Sequence, residues 1–310
     1  MNLKKPKFWN YEKPNLLAYL LLPIAFFLQL INLFKITSRR KPKIKTICVG
    51  NIYLGGTGKT SLAIKINDLL YKKNIRSCFV KKFYNNQIDE QELLKKRGKL
   101  FLSSNRLDAI SKAENENYEI AILDDGLQDN SIIYDISFVC FNILNGIGNG
   151  LTLPAGPLRE NINNLKKYQY VFLNGNLEGS ESLIKKLKRI NPKLNIYLAK
   201  YIPLNLEEFD KTDKYLAFSG IGNHETFISM IKEYGLNICK EIEFPDHYKY
   251  TILDIDKILN EAKKNKFKIL TTEKDFLRLK NNKFKEIKYI KSELKILDQE
   301  KLLETIVNKI

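Results

Sequence analysis

The chain is short of acid and of cysteine. Its 310 residues include 35 Asp and Glu against 52 Lys and Arg, a formal charge of +17. A surplus of that size suits an anionic partner: a membrane surface, an anionic substrate or a nucleic acid. Charge alone does not choose among them, and heavy use of Lys, Asn and Ile throughout contributes to it. The four cysteines, Cys48, Cys78, Cys140 and Cys239, never stand in Cys-x-x-Cys spacing, so neither a disulfide framework nor a zinc site is suggested. Three of them lie in apolar, strand-like runs, as buried thiols do in a reducing compartment. There is no internal repeat and no low-complexity tract beyond lysine clusters. No Asn-Lys-x-Asp motif is present to read a guanine base. With 44% hydrophobic and 11% aromatic residues the chain is nevertheless a folding one, long enough for one large domain or two of ordinary size.

Charge is also missing from one continuous stretch, Leu16 to Phe34. As a helix this stretch would reach about 28 Å, close to a bilayer core. Lys4, Lys5, Lys7 and Lys13 precede it, and Lys35, Arg39, Arg40, Lys41, Lys43 and Lys45 follow. No small-residue cleavage site follows, and a basic downstream flank is wrong for a secretory signal. Pro23, Gln29 and Asn32 interrupt the run. The pattern predicts a helix lying in the membrane interface, with a full span and a core helix as the alternatives. Positive charge on both sides leaves orientation open.

The most informative segment is Gly50 to Thr60, Gly-Asn-Ile-Tyr-Leu-Gly-Gly-Thr-Gly-Lys-Thr. It follows a strand-like run (44–49) and opens a helical one (61–70). Strand, glycine loop, Gly-Lys-Thr and helix form the arrangement that wraps a nucleotide's phosphates. Gly55, Gly56, Thr57 and Gly58 let backbone N–H groups face the anion, and the helix N-terminus adds partial positive charge. Lys59 is expected at the β- and γ-phosphates, and the Thr60 hydroxyl on Mg²⁺. Tyr53 stands where the strict Gly-x4-Gly-Lys spacing wants its first glycine, so the loop is a variant. A second segment, Tyr118 to Gly126, reads as a buried parallel strand ending in Asp124 and Asp125. Carboxylates at that end of a strand are where P-loop enzymes hold Mg²⁺ or its water shell. Without the loop before it, Asp-Asp-Gly would read as a simple turn.

Strand and helix patterns then alternate along the chain, an α/β doubly wound order of the P-loop NTPase type with a mostly parallel sheet. A break around 199–214, with Pro203 and mixed charge, separates a second, smaller α/β unit. The expected division is 1–40 for the N-terminal apolar helix and its basic flanks, 41–200 for the P-loop domain and 201–310 for the smaller domain.

Several further blocks occur in one order: Asp89-Glu90-x-x-Leu93-Leu94, Leu123-Asp124-Asp125-Gly126-Leu127-Gln128, Pro154-Ala155-Gly156-Pro157-Leu158-Arg159-Glu160, Ser219-Gly220-Ile221-Gly222-Asn223, Phe244-Pro245-Asp246-His247 and Thr272-Glu273-Lys274-Asp275. With the glycine loop and the apolar helix, the chain resembles the tetraacyldisaccharide 4′-kinase (lipid A 4′-kinase) family over nearly its whole length. The Pro-Ala-Gly-Pro-Leu-Arg-Glu block beside this loop is the specific part. The resemblance implies transfer of the ATP γ-phosphoryl group to the 4′-hydroxyl of a tetraacyl glucosamine disaccharide 1-phosphate. It also implies a place at the cytoplasmic face of the inner membrane, peripheral or monotopic. ATP and Mg²⁺ are the implied cofactors. An anionic lipid and a membrane surface are the implied partners, with no nucleic acid.

Residue by residue, the resemblance makes Asp89 the catalytic aspartate and His247 its partner across an interdomain cleft. Asp124 and Asp125 would serve Mg²⁺ with Thr60, and Glu160 would join that shell. Arg159 and Asn51 are placed with the phosphate or substrate. On the residues alone, Asp89 and Glu90 are a solvated acidic helix start and His247 a structural histidine; His224 remains a helix-start residue. The chain departs from the family pattern at Lys81-Lys82-Phe83-Tyr84-Asn85, where Ser-Arg-Gly-Tyr-Gly is usual. It departs again at Ser61 for Pro, Gln91 for Pro and Asp129 for His. Two rivals are weighed: a membrane-associated P-loop ATPase of the partitioning or metal-carrier type, and a membrane-tethered nucleic-acid-binding module. The first usually carries a lysine before its glycine pair, where Leu54 stands. The second lacks a recognition motif.

Overall fold

The computed structural model describes residues 5–33, 38–85, 87–279 and 284–310. Lys4, Phe34 and Lys35, part of the apolar segment and its flanks, lie outside the described residues. The first half alternates strand and helix: α1 (Leu16–Leu33), β1 (Lys45–Gly50), α2 (Lys59–Tyr71), β2 (Ser77–Lys82), α3 (Ile88–Arg97), β3 (Leu100–Ser103), α4 (Arg106–Asn115), β4 (Ile120–Asp124) and β5 (Ile136–Asn142). β6 (Tyr170–Asn174), α5 (Ser180–Ile190) and β7 (Asn195–Pro203) follow. Beyond them come β8 (Lys214–Ser219), α6 (His224–Glu233), β9 (Asn237–Glu243), α7 (Ile252–Asn265), β10 (Lys268–Thr272), α8 (Glu273–Arg278), β11 (Ile287–Ile290), β12 (Ser292–Ile296) and α9 (Gln299–Val307).

Two sheets result. The larger has eight strands in the order β12-β7-β6-β5-β1-β4-β2-β3, and the smaller four, in the order β11-β10-β8-β9. Among the described residues only β12 runs antiparallel to its neighbouring strand, and the other strand pairings are parallel. Parallel strands need cover on both faces, which explains the apolar runs Ile-Cys-Val in β1, Ile-Ala-Ile-Leu in β4 and Phe-Val-Cys-Phe in β5. On one face Leu62, Ile66 and Leu70 of α2 pack with Leu94 of α3 and Leu302 and Ile306 of α9. On the other, α5 brings Leu183 and Leu187, and α4 brings Ala109, Ile110 and Ala113. The small sheet repeats the scheme: Tyr215 and Ala217 face α6, while Leu216 and Phe218 face α7.

The chain order hides one feature. β7 runs through the stretch read as a break, up to Pro203, and residues 292–310 return to the large sheet instead of closing the small one. β12 is an edge strand whose Leu294 and Ile296 alternate inward against β7. An antiparallel edge strand needs only one apolar face, so its charged residues disguise it. The cysteines sit as read: Cys48, Cys78 and Cys140 are buried in β1, β2 and β5, and Cys239 is exposed.

Candidate active site

In an open α/β sheet, ligands collect beyond the C-terminal ends of the strands. β1 and β4 are neighbours there, with Val49 opposite Asp124, so the glycine loop and the Asp-Asp pair emerge side by side. Gly58 caps α2 with φ +76. A β-carbon there would meet the Asn174 amide at 2.6 Å and the Tyr201 hydroxyl at 2.9 Å, so only glycine makes this left-handed turn into the helix. Lys59 and Thr60 follow as its first residues. The Thr60 hydroxyl donates to Asp124 Oδ2 (3.2 Å), and Lys59 Nζ stands 3.8 Å from Asp125 Oδ1.

The Pro-Ala-Gly-Pro-Leu-Arg-Glu block is laid along the entry to this loop. Leu54 N–H donates to Pro157 O (2.8 Å), and Arg159 N–H donates to Ile52 O (2.7 Å). Leu158 is thereby buried, and the Arg159 guanidinium reaches Asp125 Oδ1 at 3.0 Å. Two cations thus share one carboxylate. Burial alone would raise the Asp125 pKa, but Lys59, Arg159 and Lys81 hold it below its ordinary value. Asp125 has φ +62, and its carbonyl accepts from Arg106 Nη2 at 2.5 Å. Arg106 Nη1 also donates to Asp129 (3.1 Å), the residue found where a histidine is usual.

Asn51 and Glu160 are placed differently from their expected roles. Asn51 is buried, and its amide donates to Tyr53 O (2.6 Å) and Gly55 O (3.1 Å). Through these two bonds it braces the glycine loop. Glu160 accepts from Asn164 (2.7 Å) and Gln128 (3.4 Å). Its link to Asp125 passes through Gln128, which accepts from Arg159 (3.1 Å). Among the described residues no group of three or more His, Cys, Asp and Glu converges as a metal site. Thr60 and the Asp pair still suit a nucleotide-borne Mg²⁺, which takes few protein ligands. Asp124 Oδ1 is buried without any hydrogen-bond partner, and a hard cation or its water would satisfy it.

The second half of the site crosses between the two sheets. Asp89 and Glu90 begin α3, which packs on α8. Asp89 is only 7% exposed, so it is no solvated helix start. His247, at φ +57, brings its Nδ1 to within 3.2 Å of Asp89 Oδ1. Arg278 Nη2 donates to Asp89 Oδ2 at 2.6 Å. Burial works against the charge on Asp89, but the His247 hydrogen bond and the Arg278 charge hold its pKa well below the carboxylate range. Burial likewise disfavours the charged His247 ring, yet Asp89, Asp246 and Glu90 raise its pKa. The left-handed conformation of His247 is one that His tolerates better than most residues. His224 instead meets Ser219 Oγ at 2.7 Å at the start of α6.

Sequence reasoning gave no role to Lys81, Lys274, Arg278 or Arg106. Lys274 Nζ donates to Glu90 (3.2 Å), and Arg278 also holds Asp275 (2.8 Å). Lys274 lies within the Thr272–Asp275 block, which was a usable signal. Lys81 opens the Lys81–Asn85 departure, and Arg278 and Arg106 are single cations of a type usually found on solvated surface.

A family model described as tetraacyldisaccharide-1-P 4′-kinase matches residues 17–310. A tetraacyldisaccharide 4′-kinase from Pelagibacter ubique is 58% identical over 310 residues, 99% of this chain and 98% of that one. One from Rickettsia canadensis is 34% identical over 329 residues, covering 100% and 98%. The crystal structure of the "apo" form of LpxK from Aquifex aeolicus in complex with ATP superimposes with a TM-score of 0.68. It is 22% identical and covers 95% of this chain and 99% of that one, a likeness of fold.

Proposed function

The chain belongs to the tetraacyldisaccharide-1-P 4′-kinase family, and from that premise we propose how its residues divide the work. The reaction moves the ATP γ-phosphoryl group to the 4′-hydroxyl of a tetraacyl glucosamine disaccharide 1-phosphate, a step of lipid A synthesis. The observation that carries the assignment of roles is the apposition of two charged clusters: Lys59, Arg159 and Asp125 at the glycine loop, and Asp89, His247 and Arg278 across the two sheets.

Gly55, Gly56, Thr57 and Gly58 cradle the phosphates with backbone N–H groups at the start of α2. Lys59 and Arg159 leave Asp125 for the γ-phosphoryl oxygens and neutralise the charge that spreads over them. Thr60 and Asp124 would hold Mg²⁺ with Asp125 nearby, and Glu160 acts one step removed by orienting Gln128 and Arg159. When bound, Mg²⁺ supplies Lewis acidity to the phosphate oxygens. Asn51 keeps the loop in shape.

The acceptor hydroxyl is oriented at the Asp89–His247 pair, which takes its proton. As the oxygen's lone pair bonds to phosphorus and the bond to the β-phosphate oxygen breaks, the hydroxyl becomes strongly acidic. A carboxylate as acidic as Asp89 accepts a proton only late in that sequence. This suits a loose transition state in which the nucleophile keeps its proton until bond formation is advanced. His247 orients the carboxylate, and Arg278 holds its second oxygen.

No helix among the described residues is long and apolar enough to cross a membrane. α1 is nevertheless apolar around its circumference, and Leu16, Leu20, Phe26 and Phe27 are 62–77% exposed. Ala18 and Ala25 pack inward, and Gln29 donates to Arg159 O (3.3 Å). The helix therefore lies on the protein beside the site and offers its outer side to lipid. Flanking basic residues each add about 1 kcal/mol of attraction to an anionic surface. Because ATP is the donor, that surface is the cytoplasmic face of the inner membrane. The partners are this lipid and this surface, with no nucleic acid.

The testing experiment is transfer from γ-labelled ATP to the purified disaccharide 1-phosphate in mixed micelles, with and without Mg²⁺. Labelled lipid that depends on Mg²⁺ is expected, with a loss on the order of 10²-fold or more in Lys59→Ala. ATP hydrolysis with no labelled lipid would return the partitioning-type ATPase. Near-normal turnover of Lys59→Ala would remove the glycine loop from the mechanism.

A further inference from the structure

Lys81 is the penultimate residue of β2 and is 1% exposed. Its ammonium donates to Asp124 Oδ2 at 2.6 Å and to Glu90 Oε2 at 2.8 Å. The other Glu90 oxygen accepts from Lys274 of the small-sheet half. A line of alternating charge therefore runs from the Thr60–Asp124 corner through Lys81 to Glu90 on α3 and on to α8. Asp89 is the residue before Glu90 on the same helical turn. Where the family pattern has a serine, this chain places a side chain that spans the gap between the two halves of the site.

Burial works to lower the Lys81 pKa, but the two carboxylates raise it above its ordinary value, so the group is charged. A buried cation is costly to desolvate and is weak evidence of stabilisation by itself. Its geometry has two consequences. It occupies Asp124 Oδ2 together with Thr60, which leaves Oδ1 as the unpartnered oxygen. It also screens buried Asp124 from partly buried Glu90, like charges that would otherwise push α3 away from β4.

We propose that Lys81 is a positioning residue that sets the register between the phosphate corner and the Asp89 carboxylate. It ties Glu90, and with it the start of α3, to Asp124. This rests on the reading of Asp89 as the proton acceptor. Lys81 touches no reacting atom. It fixes where Asp89 stands when the acceptor hydroxyl arrives, and a misplacement of about 1 Å there costs on the order of 10²-fold in turnover.

The test uses the full chain with ATP, Mg²⁺ and the disaccharide 1-phosphate in mixed micelles. Lys81→Met, Glu90→Gln, the double variant and Asp89→Asn are compared for kcat, for the KM of ATP and for melting temperature. Lys81→Met is expected to lower kcat on the order of 10²-fold, with the ATP KM within about threefold of wild type. The double variant should be no slower than Lys81→Met, because both changes cut one connection. Lys81→Arg, which keeps the charge, should recover part of the rate. A Lys81→Met enzyme at wild-type kcat overturns the proposal. So does an ATP KM that rises as far as kcat falls, which would put Lys81 on the nucleotide. Additive losses in the double variant also overturn it. If Lys81→Met does not fold, Glu90→Gln decides: a folded Glu90→Gln enzyme at wild-type kcat overturns the proposal, and the predicted kcat loss supports it. Asp89→Asn separates the two levels. Its full activity would remove the proton-acceptor reading and the role of Lys81 with it. Its inactivity beside an active Lys81→Met would remove Lys81 alone.

Discussion

At the scale of single residues, the site works by cations that share carboxylates. Asp125 holds Lys59 and Arg159, Asp89 holds Arg278 and His247, and Glu90 holds Lys81 and Lys274. Each pairing keeps a buried charge compensated. The His247–Asp89 pair makes a pH prediction with a definite sign. The folded-state pKa of His247 is raised above its ordinary 6.5. Its contribution to stability is therefore complete below that value and is lost as pH rises through the raised one. Asp89, held far below the carboxylate range, stays ionised throughout this window. The difference in melting temperature between wild type and His247→Gln should be widest near about pH 5.5 and shrink toward about pH 8.5. A gap that is flat or grows with pH would mean that His247 is not held as a cation. The residues legible in the sequence were those with a backbone requirement or a fixed spacing, such as Gly58, Lys59 and Thr60. What Lys81 and Arg278 contact was not legible, because nothing local distinguishes a cation that crosses a core from one that faces water.

At the scale of elements, α1 and α3 carry the unusual demands. α1 is 18 residues long, about 27 Å, and leaves large apolar side chains outward while Gln29 anchors it beside Arg159. Replacing Phe26 and Phe27 by Asp should abolish sedimentation with anionic vesicles and leave ATP binding within about threefold of wild type, because neither residue faces the protein core. Retained vesicle binding would assign membrane attachment elsewhere. From its residues alone α3 read as an acidic helix start, and only the resemblance singled out Asp89. Burial of Asp89, Gln91, Leu93 and Leu94 in α3, which packs on α8, holds Asp89 away from solvent. β12 was hidden because one apolar face among charges is a weak signal, and its partner β7 lies nearly 100 positions earlier in the chain.

At the scale of the whole molecule, the two sheets meet on the glycine loop. A β-carbon on Gly222 would lie 2.3 Å from the Gly56 nitrogen and 2.7 Å from its α-carbon, so the two backbones touch with no room for a side chain. Asn145 and Asn142 of the large-sheet half also bond Asn223 (3.2 Å) and Thr226 (3.0 Å) of the small-sheet half. Gly222→Ala should hold the halves apart and lower kcat by on the order of tenfold or more, with the melting temperature nearly unchanged. Full activity in that variant would show that this contact is not part of the working state. The same closeness places His247 at Asp89 and Lys274 at Glu90, residues more than 150 positions apart in each case.

By itself the sequence determined the alternating α/β order, the glycine loop, the Asp124-Asp125 strand end and the apolar N-terminal helix. Each depends on local periodicity or on short spacings that backbone geometry imposes. Tertiary structure alone decided which distant charges meet. Lys81 between Asp124 and Glu90, Arg278 on Asp89, Asn51 turned under the loop and residues 292–310 returned to the first sheet all depend on packing across the chain. Burial is what makes those pairings strong, and burial is a property of the assembled fold and not of any short stretch of sequence.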